Sequence, residues 1–296
     1  MRLNPRNHWL VSALSLLTTC LLDSAASAAP FSFSTGGVTN LIATASRPES
    51  GGAFEIESAD DFLLTAPTQI TSATFTGLLP LTPATVQQVV VEIYRVFPND
   101  SNVARTSGPP NFSTPNVPTR VNSPSDVEFV GRDSAVGGEL AFTTTLLSAS
   151  FNALNSVQPG GIHPMPLQTT GGDGPVSGQE VQFNVTFSMP FNLPPDHYFF
   201  VPQVLLNTGN FLWLSGTRPI VPPGTPFMPD LQSWTRDAFL DPDWLRVGTD
   251  IVGGNPAPTF NAAFSLSGVT VPEPATLALL GVALVGLGFA RRRSLS

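Results

Sequence analysis

The sequence predicts an all-β fold, an antiparallel, jelly-roll-like β-sandwich, and three observations carry that expectation. Apolar and polar residues alternate with a period of two in several stretches. Thirty prolines and twenty-five glycines supply frequent turns. Almost no stretch shows the three-to-four-residue spacing of an amphipathic helix. Hydrophobic residues make up 42% of the 296 residues, enough for a packed core, so a disordered chain is excluded.

The elements follow in chain order. Phe54–Ile56 and Ile70–Phe75 read as strands, and Val89, Val91 and Ile93 share one face of another. The one stretch with helical spacing, Leu147–Leu154, predicts a short helix. Val181, Phe183, Val185 and Phe187 alternate with Gln182, Asn184, Thr186 and Ser188, the pattern of a strand with one buried face. Tyr198–Val201 and Phe211–Leu214 are further strands. Phe260, Ala262, Phe264 and Leu266 alternate with Asn261, Ala263, Ser265 and Ser267 and close the series. Two polar stretches, Asn99–Pro124 and Gln158–Gly178, read as long loops on one domain, since connections beyond ~15 residues are usually functional or flexible. No internal repeat is present.

Both ends differ from this middle. Arg2 and Arg6 precede an apolar run, Trp9–Leu22, and Ala26-Ser27-Ala28 fits the small-x-small cleavage rule. Residues 1–28 therefore read as a signal peptide cut by signal peptidase, with Ala26 and Ala28 at its site. The run is ~14 residues, short for a membrane span. Cys20, the only cysteine, lies inside that segment, so the exported domain is expected to hold no disulfide and no thiolate chemistry. At the other end stand Val271, Pro272, Glu273 and Pro274, then the uncharged residues Ala275–Ala290, then Arg291, Arg292 and Arg293. A helix over 275–290 spans ~24 Å, slightly short of the ~30 Å hydrocarbon layer. The arginines snorkel to the headgroups and act as a stop-transfer cluster, holding the C-terminus inside. The expected organisation is a signal peptide (1–28), a β-sandwich ectodomain (29–270) and a tail (271–296). The tail comprises a motif (271–274), a single transmembrane helix (275–290) and a basic end (291–296).

The order of parts in that tail closely resembles the PEP-CTERM sorting signal. Pro272-Glu273-Pro274, Gly286-Leu287-Gly288-Phe289 and Arg291 to Arg293 match it part by part. The resemblance implies processing by an exosortase in a Gram-negative bacterium that makes exopolysaccharide. It implies an inner-membrane-anchored intermediate, then a place at the cell surface or outside. Ala59-Asp60-Asp61-Phe62 and Phe264-Ser265-Leu266-Ser267-Gly268 are loosely similar to sandwich domains that often accompany this tag, domains with no settled activity.

Charge narrows the function classes. All thirteen basic residues are arginine, and the formal net charge is −8. The two end segments carry +1 and +2, so the domain between them carries −11. A polyanion repels phosphates, and nucleic acid is excluded as a partner.

No catalytic, cofactor or metal site is expected. His163 lies in a loop and His197 at the mouth of a strand, and both read as surface or turn residues rather than ligands, since no histidine-metal spacing exists. Nucleophile elbows and phosphate loops are absent, and without lysine so is Schiff-base chemistry. Asp60 and Asp61 are neighbours on a strand and point to opposite faces, so they form no acid/base pair. Asp237, Asp241, Asp243 and Asp250 cluster in sequence. Asp241-Pro242-Asp243 offers two oxygens to Ca²⁺, but a solvated acidic loop with an Asp-Pro turn accounts better for it. Trp213 reads as core. Trp234 and Trp244, flanked by charge, are the better candidates for exposure and the only ones for stacking on sugar rings, although core is the stronger reading for all three. The sequence thus predicts a non-enzymatic surface or exopolysaccharide-matrix protein. A carbohydrate-binding module is the first alternative and a carboxylate-dependent hydrolase the second, disfavoured because no catalytic motif is visible, while the separation that identifies a carboxylate pair is not given by sequence.

Overall fold

The computed structural model describes residues 28–101, 120–162, 169–218 and 231–271. His163, Cys20, Ala26 and the tail from Pro272 onward, with its expected helix and arginines, lie outside the described residues. No helix among the described residues is long and apolar enough to cross a membrane.

The compact unit Pro30–Val269 is all-β, built from two sheets. The strands of the first are β1 (Pro30–Ser34), β2 (Val38–Ala45), β4 (Thr68–Leu79), β7 (Leu140–Ala153), β8 (Ser156–Val157), β9 (Val176–Leu193), β11 (Leu212–Gly216) and β14 (Phe264–Thr270). The strands of the second are β3 (Ile56–Leu64), β5 (Val86–Arg95), β6 (Val130–Asp133), β10 (Asp196–Leu206), β12 (Trp234–Asp237) and β13 (Leu245–Arg246). The second sheet is ordered β13-β12-β3-β10-β5-β6. In the first, β4 pairs with β9 along one edge, and β9 with β7. The other edge of β4 is divided between β14, which continues to β1, and β11, which continues to β2 and β8. The sheet curls into a half-barrel as Leu154 N–H, just beyond β7, donates to Asn40 O of β2 at 2.7 Å. β2 and β8 run parallel, so the first sheet is mixed and the purely antiparallel expectation is corrected.

The core lies where the two sheets face each other. Phe75, Phe183, Val185 and Phe264 from the first meet Phe62, Val91, Ile93, Tyr198 and Phe200 from the second, all buried. Phe200 stacks on Phe264 across this space at 5.0 Å, and Phe75 stacks on its neighbour Phe183 within the first sheet at 4.8 Å. Such offset pairs add roughly 0.5–1.5 kcal/mol beyond the area they bury. Two glycines permit close strand approach. A Cβ on Gly77 would lie 2.3 Å from the Phe211 ring, and one on Gly268 would lie 2.0 Å from Gln69 O.

The alternating runs at 181–187, 89–93 and 70–75 are strands as the period predicts. The helix expected at Leu147–Leu154 is not there: Leu140–Ala153 is strand. Register shifts after Leu146 and Ser148 insert extra residues, and this places Leu147, Phe151 and Leu154 at a helix-like interval within an extended chain. The strand expected from Phe260 begins at Phe264. Residues 261–263 instead bond irregularly to β11, with Ala263 N–H donating to Leu214 O at 2.8 Å.

Candidate functional site

The second sheet is covered on both faces. β3, β5 and β10 turn Phe62, Ile93 and Phe200 inward. Their alternate residues Ala59, Tyr94, Phe199 and Val201 form a separate buried cluster on the outer face with Leu231, Trp234 and Trp244. Trp234 is 0% and Trp244 1% exposed, so both rings are core, the stronger reading, and the exposure that a glycan contact needs is absent. Neither presents a face to a sugar. The indole N–H of Trp244 donates to Ser125 O at 3.3 Å, and the Arg236 guanidinium lies 4.3 Å from a ring centroid of the same residue. Trp213 is in the main core as expected.

Charged side chains surround this outer cluster, and they are paired. The first group is centred on Arg236, opposite Glu57 in the β12–β3 register. Arg236 Nε donates to Glu57 Oε2, Nη1 to Asp241 Oδ1 at 2.8 Å, and Nη2 to the Tyr94 hydroxyl at 3.0 Å. That hydroxyl donates to Glu57 Oε1 at 2.7 Å and approaches Glu92 Oε2 at 3.3 Å. Burial, then the charges of Glu57 and Glu128, push the Glu92 carboxyl up to about 10. Glu92 therefore keeps its proton at neutral pH. Burial also raises Glu55, which accepts from the Gln203 amide at 2.9 Å.

A second group joins Arg120, 2% exposed, to Asp243 at 2.7 Å and to Asp126. A third pairs Arg246 with Asp250 at 2.6 Å. The acidic cluster seen in sequence is thus taken apart by the fold. Asp241 and Asp243 bind different arginines, Asp250 a third, and Asp237 accepts from Phe239 N–H and Leu240 N–H. Asp237, Asp243 and Asp250 are buried, so the solvated-loop reading is corrected. Their oxygens do not converge as Ca²⁺ ligands would, and no group of three metal-ligating side chains occurs among the described residues.

Asp60 and Asp61 do point to opposite faces. Asp60 accepts from Ser233 Oγ at 3.2 Å and from Ala262 N–H at 2.8 Å, tying the second sheet to the segment that leads into β14. Asp61 Oδ2 lies 2.5 Å from His197 Nε2, and its Oδ1 accepts from Leu231 N–H. Burial pushes the Asp61 carboxyl up, against the downward pull of His197. His197 is 5% exposed, a buried partner rather than the surface residue expected. It lines a cleft of about 470 Å³ with Leu63, Phe97, Pro98 and Pro195. A histidine–carboxylate pair orients a base, and among the described residues lining the cleft there is no serine, threonine or cysteine for it to activate.

A second cleft, about 370 Å³, lies on the outer side of the first sheet. Thr74, Thr76, Gln182, Glu180 and Ser265 supply polar groups and Phe151 an apolar wall. Glu57 and Glu92 line neither cleft.

None of Glu57, Glu92, Tyr94, Arg236 or the Asp61–His197 pair is singled out by sequence. Two runs held the signal: Val89–Tyr94 and His197–Val201 are apolar at nearly every position, which marks strands covered on both faces. A polar residue inside such a run is buried and needs a partner.

Residues 270–293 match the family model described as the PEP-CTERM protein-sorting motif. The match covers the expected motif, helix and arginines, and it starts at the last residue of β14. No curated protein and no solved structure matches the chain. The sorting motif implies export, sorting to the cell surface and processing by an exosortase.

Proposed function

We propose that this exported, exosortase-processed chain acts without catalysis, as a surface or exopolysaccharide-matrix component. The observation that carries the reading is that, among the described residues, Glu57, Glu92, Tyr94, Arg236 and the Asp61–His197 pair are engaged with one another inside the fold. Glu57 and Glu92 are the nearest approach to a hydrolase pair, one carboxyl protonated beside another facing a guanidinium. Their lone pairs are taken up by Tyr94 and Arg236, and a substrate would have to displace both. The strands around them are held for stability, not opened for access.

The test uses the protein recovered from its producing cells. It should fractionate with the extracellular matrix, and Glu92→Gln should leave that distribution and the matrix yield unchanged. Hydrolysis of the host polysaccharide by the wild type that is abolished in Glu92→Gln would overturn the reading.

One observation favours glycan binding as a second role. The 370 Å³ cleft offers hydroxyl and amide groups from Thr74, Thr76, Gln182 and Ser265 beside the Phe151 ring. Polar groups that fix orientation beside an apolar wall suit a neutral hydroxylated chain. Calorimetric titration with the host polysaccharide should give a signal that Gln182→Ala weakens. No heat with any glycan tested removes this role and leaves the first reading standing.

A further inference from the structure

The first and last strands of the domain are partners. β1 pairs with β14 antiparallel, from Pro30↔Val269 to Ser34↔Ser265. The contact reaches one residue further on both strands. Ala29 N–H donates to Thr270 Oγ1 at 3.1 Å, and Thr270 N–H donates to Ala29 O at 2.8 Å. These residues are 241 apart in sequence, yet they fix the two ends of the domain to each other. The Ala28–Ala29 bond, where signal peptidase is expected to cut, therefore stands beside Val271, which leads into Pro272-Glu273-Pro274. β14 has β4 on its other edge, so the edge toward β1 is the one by which the start of the motif is reached.

Both expected membrane anchors leave from this place. Residues 271–274 separate Thr270 from the apolar stretch 275–290, and residues 23–28 separate Leu22 from Ala29. Fully extended, these two connections reach ~14 Å and ~20 Å. An uncut signal segment and the sorting motif therefore have to run to one membrane surface side by side, from strand ends that stand ~4.8 Å apart. A protease takes its substrate as an extended strand and pairs along its edge. Even a single helix, ~10 Å across, does not enter a gap of that width.

We propose that removal of the signal segment is the condition for cutting at the sorting motif, because it opens the edge by which exosortase reaches residues 271–274. The inference rests on the reading of residues 1–28 as a signal peptide. Hydrolysis of the Ala28–Ala29 bond consumes one water, leaving a carboxylate on Ala28 and an ammonium on Ala29. The nitrogen and carbonyl that hold Thr270 both stay with the domain, so β1 keeps its place while the flank of Val271 is cleared. A chain that keeps its signal segment thus keeps its tail as well. The order of the two cuts is set by the pairing of β1 with β14, not by where the two enzymes lie or how fast they act.

Intact mass of the chain recovered from its producing cells reads both ends at once. The wild type should start at Ala29 and lack the expected C-terminal helix. Replacing Ala26, Ser27 and Ala28 together by glutamine leaves no two small residues spaced as the cleavage rule requires between Asp23 and Pro30. That chain should keep residues 1–28 and also end at Ser296. Adding a linker of about twelve glutamine and asparagine residues before Ala29 of the same variant carries the uncut segment ~20 Å from Val271 and should restore loss of the helix. Replacing Pro272, Glu273 and Pro274 by alanine should give the converse, a chain that starts at Ala29 and ends at Ser296. A glutamine variant that loses its helix as the wild type does, or a linker variant that keeps it, would overturn the ordering alone. A wild type that starts at Met1 would overturn the signal-peptide reading and the ordering with it.

Discussion

Arg236 shows how one side chain organises a buried polar layer. It is 5% exposed and reaches Glu57, Tyr94 and Asp241 with three nitrogens, while the Trp244 ring covers its plane. Removing it leaves Glu57 buried without its counter-charge, a change that costs about 3–5 kcal/mol. Arg236→Ala should therefore lower the denaturant midpoint steeply, read by urea unfolding. Arg236→Lys should recover only part of the loss, because an ammonium cannot present three directed donors in one plane. Glu92 adds a pH dependence. Its carboxyl is raised to about 10 in the fold from the ordinary 4.5, so the folded chain holds a proton that the unfolded chain releases between those values. The stability this proton contributes is complete below about pH 4.5 and is lost as pH rises toward 10. Burial raises Asp61, Glu55 and Glu128 in the same direction. Unfolding midpoints should fall from pH 5 to pH 9, and Glu92→Gln should flatten that fall. A wild-type stability that rises across this range would contradict the placement of Glu92.

Strands whose faces differ are legible in sequence, and strands whose faces match are harder. Val181–Ser188 alternates because the core lies on one side and the outer cleft on the other, and its period of two is unambiguous. β3 escapes beyond Ile56: its sequence Ile56–Leu64 mixes charge and apolar residues, and both faces are buried, so burial and polarity no longer coincide. Asp60 and Asp61 point to opposite faces as their adjacency predicts, but their burial does not follow from it. β7 was obscured by its bulges, which turn a period of two into an interval resembling a helix. Glycine spacing is similarly opaque, since Gly77 and Gly268 look like turn residues until the strands beside them are seen. Both lie in strands, where a side chain has no room. Gly268→Ala must push β14 off Gln69 of β4, and overpacking of this kind costs about 1–3 kcal/mol. The substitution should lower the melting temperature, whereas Gly51→Ala, in open space at a turn, carries only the backbone strain of its φ of 53°. Equal melting temperatures for wild type and Gly268→Ala would place the β4–β14 contact wrongly.

At the scale of the whole chain, the order of parts matters more than any single site. The expected signal peptide precedes the β domain, and the sorting motif begins where the last strand ends. On the proposed reading, export leaves the chain N-outside and C-inside, held by residues 275–290. Arg291, Arg292 and Arg293 halt transfer because moving three charges into hydrocarbon costs several kcal/mol on insertion scales. Pro272 and Pro274 lack backbone N–H donors, and each disfavours helix in the residue before it. On that reading the segment 271–274 is expected to stay extended at the membrane surface, where a protease can reach backbone that a helix would hide. Cutting there removes helix and arginines together. Replacing Pro272, Glu273 and Pro274 by alanine should let the helix extend upstream, abolish recognition and hold the chain in the membrane fraction. Intact mass is the decisive measurement: the native protein should have lost its C-terminal helix, and the alanine variant should keep it. A native mature protein that still ends at Ser296 would make the tail a plain anchor and remove exosortase from the account.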